Sequence, residues 1–223
     1  MITVHHLNNS RSQRVLWLLE ELGVEYEVKR YQRNAKTMLA PEALKAVHPL
    51  GKSPVITDGE LTIAETGAIV EYLIDTYGGG RLAPPEGSAE RLRYSYWMHY
   101  AEGSAMPPLV MKLIFTEAPK RVPFFLRGVA RLLFGGMVKG YVDPQIAEHV
   151  AFWAATLEKS AYFAGESLSG ADIMMSFPVE AAQMRGALPP ILAGYLAGLH
   201  ARPAYKRALE RGGPYLLMGG PAH

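Results

Sequence analysis

The hydrophobic period of this chain changes once, and that change limits the fold more than any single motif. Up to Tyr77, short alternating apolar runs take turns with helical spacing; after Ser88 the spacing is helical throughout. Ile2 to Leu7 reads as a strand, and Asn8-Asn9-Ser10 as a turn. From Arg11, the residues Val15, Leu16, Leu18, Leu19 and Leu22 recur at helical spacing, with Gly23 as the stop. Tyr26 to Tyr31 is a second strand and Pro41 to Val47 a short helix entered through proline. Ser53 to Thr57 and Leu61 to Ala64 flank the hairpin signal Asp58-Gly59, and Thr66 to Tyr77 is an amphipathic helix.

The order is therefore βαβ, α, ββα. A βαβ unit needs a parallel pair and Asp58-Gly59 joins an antiparallel one, so a mixed four-stranded sheet is expected. Gly78-Gly79-Gly80 closes the last of these helices, and the Pro- and Gly-rich stretch Leu82 to Ser88 is the expected linker. This predicts an α/β domain over residues 1–80 and an all-α domain over residues 89–223, in which prolines punctuate helices. Ser169 and Asp172 have capping-box spacing before Ile173, with Leu168 placed as a hydrophobic staple.

With 223 residues, 49% of them hydrophobic and 20% charged, the chain can bury a core without staples. A formal net charge of +2 points to neither nucleic acid nor membrane as a partner. The chain has no cysteine, so disulfides, thiolate metal sites and CxxC redox chemistry are unavailable; no metal site is expected. The start MITVHHLNNSRSQR is not expected to be a secretory signal, and no apolar run reaches membrane-span length, so the expected location is the cytoplasm.

Four local motifs, in this order, resemble the cytosolic glutathione transferases: Ser10-Arg11-Ser12-Gln13-Arg14, Leu50-Gly51-Lys52-Ser53-Pro54-Val55, Ala64-Glu65-Thr66-Gly67-Ala68-Ile69, and Ser169 to Asp172. The resemblance implies a thioredoxin-like amino-terminal domain that binds glutathione and a helical domain carrying the pocket for an apolar electrophile. It implies a homodimer active in detoxification, with glutathione as co-substrate and no other cofactor. His99 to Ser104 is similar to a bacterial and fungal branch, and the serine turn to theta- and delta-like members.

The resemblance assigns Ser10 to the catalytic hydroxyl that holds the glutathione thiolate; Asn9 and Ser12 are rivals, and capping the first helix is Ser10's ordinary use. The chemistry requires such a group. A thiol with a pKa near ~8.5 is mostly protonated at neutral pH, and lowering it by about two units takes roughly 2.7 kcal/mol. A helix N-terminus supplies ~0.3–1 kcal/mol, and a hydrogen bond to a charged acceptor ~1.5–3 kcal/mol. The resemblance also implies a cis bond before Pro54, turning the Val55 backbone towards the tripeptide. It places Glu65 and Thr66 on the γ-glutamyl group, and Lys52, assisted by His48, on the glycine carboxylate, with Ser53 between them.

Tyr100, Met106, Met111 and Phe115 are candidates for the electrophile pocket, and ordinary core packing is their alternative use. Glu102 falls where acidic residues of some relatives reach glutathione across a dimer interface. A basic amphipathic stretch such as Pro123 to Val142 can lie on a membrane; here it is expected to pack on its own domain with its cations in solvent, with dimerisation as the next alternative. Three activities are compatible: conjugation of glutathione to hydrophobic electrophiles, glutathione-dependent peroxide or disulfide reduction, and a non-catalytic interaction role on the same fold. The intact glutathione motif favours the first two.

Overall fold

The computed structural model describes residues 1–34, 37, 39–186, 188–213 and 215. The first half contains β1 (Ile2–Leu7), α1 (Ser12–Leu22), β2 (Tyr26–Tyr31), α2 (Glu42–Lys45), β3 (Val55–Asp58), β4 (Leu61–Ala64) and α3 (Thr66–Tyr77). The strands lie in the order β2-β1-β3-β4. β1 runs parallel to β2 from Ile2 opposite Tyr26 to Leu7 opposite Tyr31, and the other two pairings are antiparallel. The sheet is mixed, as the order of periods requires. β3 starts two residues later than its apolar run, because the cis Ser53–Pro54 bond precedes it and Pro54 has no N–H to give a ladder. Gly59 makes the β3–β4 turn at a φ of 58°.

The remainder is helical: α4 (Ala89–Tyr100), α5 (Met106–Arg121), α6 (Arg127–Met137), α7 (Asp143–Leu157), α8 (Gly170–Gln183), α9 (Pro190–Ala201) and α10 (Pro203–Gly212). No strand follows β4 among the described residues, and one isolated bridge joins Tyr162 to Gly165. A π turn, Ala101–Ala105, joins α4 to α5, and another, Val138–Val142, joins α6 to α7. Each lies just before prolines, Pro107-Pro108 and Pro144, whose missing N–H groups and bulky rings favour a widened turn. No helix of the described residues is long and apolar enough to cross a membrane.

The core runs between the halves. α1 is covered by the sheet on one side and by α3, α8 and α10 on the others, so even its Ser12, Gln13 and Arg14 are buried. Ile69, Val70, Leu73 and Ile74 of α3 complete the seam. α8 approaches α3 closely at Gly170, where a Cβ would lie 2.6 Å from the Ile74 side chain and 2.9 Å from the Tyr94 hydroxyl. On the other sheet face, Leu44 of α2 packs with Leu7 and Tyr31.

Two expectations fail here for identifiable reasons. Pro119 and Pro178 lie inside α5 and α8 instead of between helices. Pro178 removes the N–H that would bond the Met174 carbonyl, and the Arg14 guanidinium replaces it at 2.6 Å. The stretch Pro123 to Val142 does not bury its apolar face. Ala130 and Val142 are buried and Phe134 packs on Phe115, but Phe124, Phe125, Val129, Leu132 and Leu133 are exposed. With both sides of α6 apolar, the hairpin can cover only one.

The capping box forms as its spacing predicts. The Asp172 carboxylate accepts from the Phe163 and Ser169 N–H groups and from the Ser169 and Tyr195 hydroxyls, at 2.9–3.0 Å. Burial raises its pKa against these four bonds, so the carboxylate depends on all of them. Asp172→Ala is expected to lower stability by about 2–4 kcal/mol, through the lost cap and several unpaired donors. Urea denaturation followed by circular dichroism checks it.

Candidate functional site

A cleft of about 620 Å³ opens where β3, the start of α3, the start of α1 and the π turn after α4 converge. His48, Lys52, Ser53 and Pro54 form one wall, and Glu65 and Thr66 the end wall. Arg11 and Glu102 close the opposite side, with His99, Met98 and Met174 beside them. Of the residues singled out in the sequence, Lys52, Ser53, Pro54, Glu65 and Thr66 all meet here, and His48 joins them.

Glu65 has a φ of 71°, a region that costs a residue with a Cβ of the order of 1–3 kcal/mol. That conformation turns the chain from β4 directly into α3. The Glu65 carbonyl accepts from Ile69 as α3 starts, and the exposed carboxylate stands beside the amino end of that helix. An acid, a hydroxyl and free helical N–H groups at one point suit a ligand bearing both an ammonium and a carboxylate group.

Val55 and Ser10 are placed differently from their sequence expectations. Val55 pairs with His5 on one side and Ala64 on the other, so β3 has no free edge there and Val55 does not reach the cleft. The residue before the cis bond, Ser53, does reach it. Ser10 is 4% exposed and precedes the α1 cap position, which Arg11 occupies. Its Oγ lies 2.7 Å from Ser12 Oγ and 3.4 Å from Ser53 Oγ. Ser12 Oγ in turn meets His6 Nδ1 at 2.9 Å, and Ser53 donates to the His5 carbonyl at 3.0 Å. Burial and the nearby Arg30 push the His6 pKa down to about 4, so this buried chain of hydroxyls ends on a neutral imidazole.

Arg11, one residue further on, lines the cleft instead. Its Nε bonds both Glu102 oxygens at 2.9 Å, and the second partner of Glu102 is the buried Arg14. Both guanidinium carbons stand 5.1 Å from the Phe177 ring centre. Two cations share one carboxylate, so the node carries a net positive charge beside the cleft. Burial alone would raise the Glu102 pKa, but Arg14 and Arg11 outweigh it and hold the carboxyl below its ordinary value. This network was only partly legible. Arg11 and Arg14 stand one helical turn apart, which places them on one face, but nothing in the sequence ties them to Glu102.

Tyr100 and Met106 are core residues: the Tyr100 hydroxyl bonds His149 and receives the Trp153 N–H at 3.1 Å. Phe115 packs on Phe134 of the neighbouring helix. Neither these residues nor Met111 lines the cleft; Met98 and Met174 supply its apolar wall. A larger hollow of about 1110 Å³, between α4, α7 and the 160–169 loop, contains none of the residues expected to hold glutathione. Size alone therefore does not identify the site.

Comparison with known proteins agrees with this geometry. The family model for the glutathione S-transferase amino-terminal domain matches residues 1–75. Glutathione S-transferase 3 of Schizosaccharomyces pombe is 38% identical over 183 residues, covering 82% of this chain and 75% of the relative. A crystal structure of a glutathione S-transferase from Actinobacillus pleuropneumoniae superposes with a TM-score of 0.81 at 32% identity, over 100% of this chain and 97% of the other. A theta-class enzyme from Xanthomonas axonopodis, solved with glutathione bound, gives 0.71 at 28% identity, over 93% and 96%.

Removing the Glu102 charge leaves Arg14 buried beside Arg11 without its counter-ion. Glu102→Gln is expected to cost about 2–4 kcal/mol at neutral pH, below the full value for a buried pair because Glu102 is 33% exposed. The sign with pH follows from the depressed carboxyl pKa. Its contribution is present above the unfolded value near ~4.3 and is lost as pH falls through the folded value. The wild-type and Glu102→Gln stabilities should therefore converge on acidification, which urea melts across an acidic pH series will measure.

Proposed function

The chain belongs to the glutathione S-transferase family and is a glutathione transferase, and from that premise we propose how this cleft holds its substrate. The γ-glutamyl group lies at the α3 entrance, with Glu65 against its ammonium and Thr66 with the helical N–H groups against its carboxylate. Lys52, flanked by His48, takes the glycine carboxylate. The cysteinyl backbone runs beside Ser53 and Pro54, which brings the sulfur to the start of α1. The observation that carries this reading is the convergence of Lys52, Ser53, Pro54, Glu65 and Thr66 on one wall and end of a single cleft.

At the sulfur, two groups compete for the thiolate. Ser10 is the hydroxyl of the motif, but its oxygen is engaged with Ser12 and Ser53, so donating to sulfur means leaving that chain. Arg11 offers a guanidinium already on the cleft wall, and the Arg11–Arg14–Glu102 node has one cation in excess. Either group, added to the amide N–H groups at the start of α1, supplies the roughly 2.7 kcal/mol that lowering the thiol pKa by two units requires. The activated thiolate then attacks an electrophilic carbon. The C–S bond forms as the leaving group departs with its electron pair, or as an activated double bond takes up the proton.

The second substrate is an apolar electrophile lying along Met98 and Met174, whose soft side chains tolerate varied shapes. No cofactor besides glutathione is needed. We take the protein to act in detoxification, as a cytoplasmic homodimer.

Glu65→Ala and Thr66→Ala are each expected to weaken glutathione binding in calorimetry; unchanged affinity in both would move the site elsewhere. Val55→Ala should leave that affinity nearly unchanged. Ultraviolet titration of the bound thiolate separates the two activating groups. The pKa should rise by roughly one to two units in whichever of Ser10→Ala and Arg11→Ala removes the thiolate's partner.

A further inference from the structure

The corner between α5 and α6 has an unusual surface. Phe124 and Phe125, side by side at the turn, are 81% and 69% exposed, and Leu132 on α6 is 77% exposed. Leu126, Val129 and Leu133 extend the same apolar surface, and Leu113 and Ile114 are exposed on the adjoining α5. Such a patch on a water-facing helix is unfavourable unless something covers it. Residues 118–142 also contain Lys120, Arg121, Arg127, Arg131 and Lys139, all exposed, and no acidic residue. That is +5 in a chain whose formal charge is +2, which leaves −3 for the rest.

We propose that this corner docks the protein on an anionic lipid bilayer, with Phe124 and Phe125 entering the headgroup layer and the surrounding cations meeting lipid anions. Aromatic and leucine side chains framed by arginine and lysine have the composition of a helix lying in a membrane interface. α6, at eleven residues and about 16 Å, suits lying along the surface and is too short to span it. The remaining −3 is repelled by the same surface, so the charge distribution orients the corner inwards and leaves the glutathione cleft in water.

Other occupants fit less well. A second copy docking corner to corner around a twofold axis would set the cations of one copy against those of the other, even with Lys120 paired to Glu117. Neither of the two clefts described above includes any residue of 118–142. A nucleic acid would use the cations but gives the exposed Phe and Leu side chains no apolar partner. Net charge and the lack of a membrane-spanning run argue against a membrane partner in the sequence; the exposed apolar face of residues 123–142 is the observation that argues for one.

Sedimentation with vesicles of phosphatidylcholine, with and without phosphatidylserine, tests the proposal. The wild-type protein should pellet with the phosphatidylserine vesicles and be released by added salt. Phe124→Ser with Phe125→Ser should abolish pelleting. Arg127→Gln with Arg131→Gln should weaken it by roughly tenfold or more, at about fivefold per cation. Glutathione conjugation should stay at the wild-type level in both double variants, which shows that they fold. Three results would overturn the proposal: no pelleting of the wild type, pelleting unaffected by both pairs of substitutions, or a lipid-free dimer in sedimentation velocity that the Phe124→Ser/Phe125→Ser pair dissolves.

Discussion

Arg14 holds the two halves of the molecule in register. Its guanidinium is almost completely buried, where a lone charge costs several kcal/mol, so its neighbours must be positioned to satisfy it. One is the Glu102 carboxylate, presented by the π turn between α4 and α5. The other is the Met174 carbonyl, left open because Pro178 interrupts the α8 ladder. Three features, none favourable alone, become mutually consistent around one cation: a charged residue on a buried helix, a widened turn after α4 and a proline inside α8. The same node fixes Arg11 on the cleft wall and sets Met174 beside it. Packing between the halves therefore determines which charges face the cleft.

A second set of ion pairs supports this arrangement from the far end of α1. Glu21 takes a two-pronged bond from Arg202, and Glu20 is met by Arg207 and Arg211, tying α1 to α10. These pairs are more exposed and contribute less than the buried node, but they fix the tilt of α1 against the helices. The tilt matters because Arg11, at the start of α1, lines the cleft. The strained Glu65 backbone completes the other end of the site, and the cleft spans the distance between the two helix starts.

The features legible in the sequence share a short range. The β1-α1-β2 unit, the Asp58-Gly59 hairpin, the α3 face and the Ser169–Asp172 box each depend on residues within a few positions of one another. Lys52, Ser53, Pro54, Glu65 and Thr66 were singled out through short motifs of the family resemblance, and the structure brings them to one cleft. What was not legible was longer in range. Val55 reads as an edge residue until β4 is seen pairing beside it. The contacts of Ser10 with Ser12 and Ser53 could not be read from its spacing. Pro178 reads as a helix boundary until Arg14 supplies the bond that the proline removes.

Residues close together along the chain were enough to fix the class of fold and the order of its elements. Period, turn chemistry and capping are properties of neighbours along the chain, and the matching motifs lie within that reach. Only the tertiary structure decided which side chains share the cleft, that Arg11 and not Ser10 faces it, and that the corner at Phe124 stays uncovered. Those outcomes depend on desolvation and on charge pairing between residues as far apart as Arg14 and Glu102. Burial and counter-ions are assigned only when distant segments come together, and the spacing of residues along the chain carries no record of them.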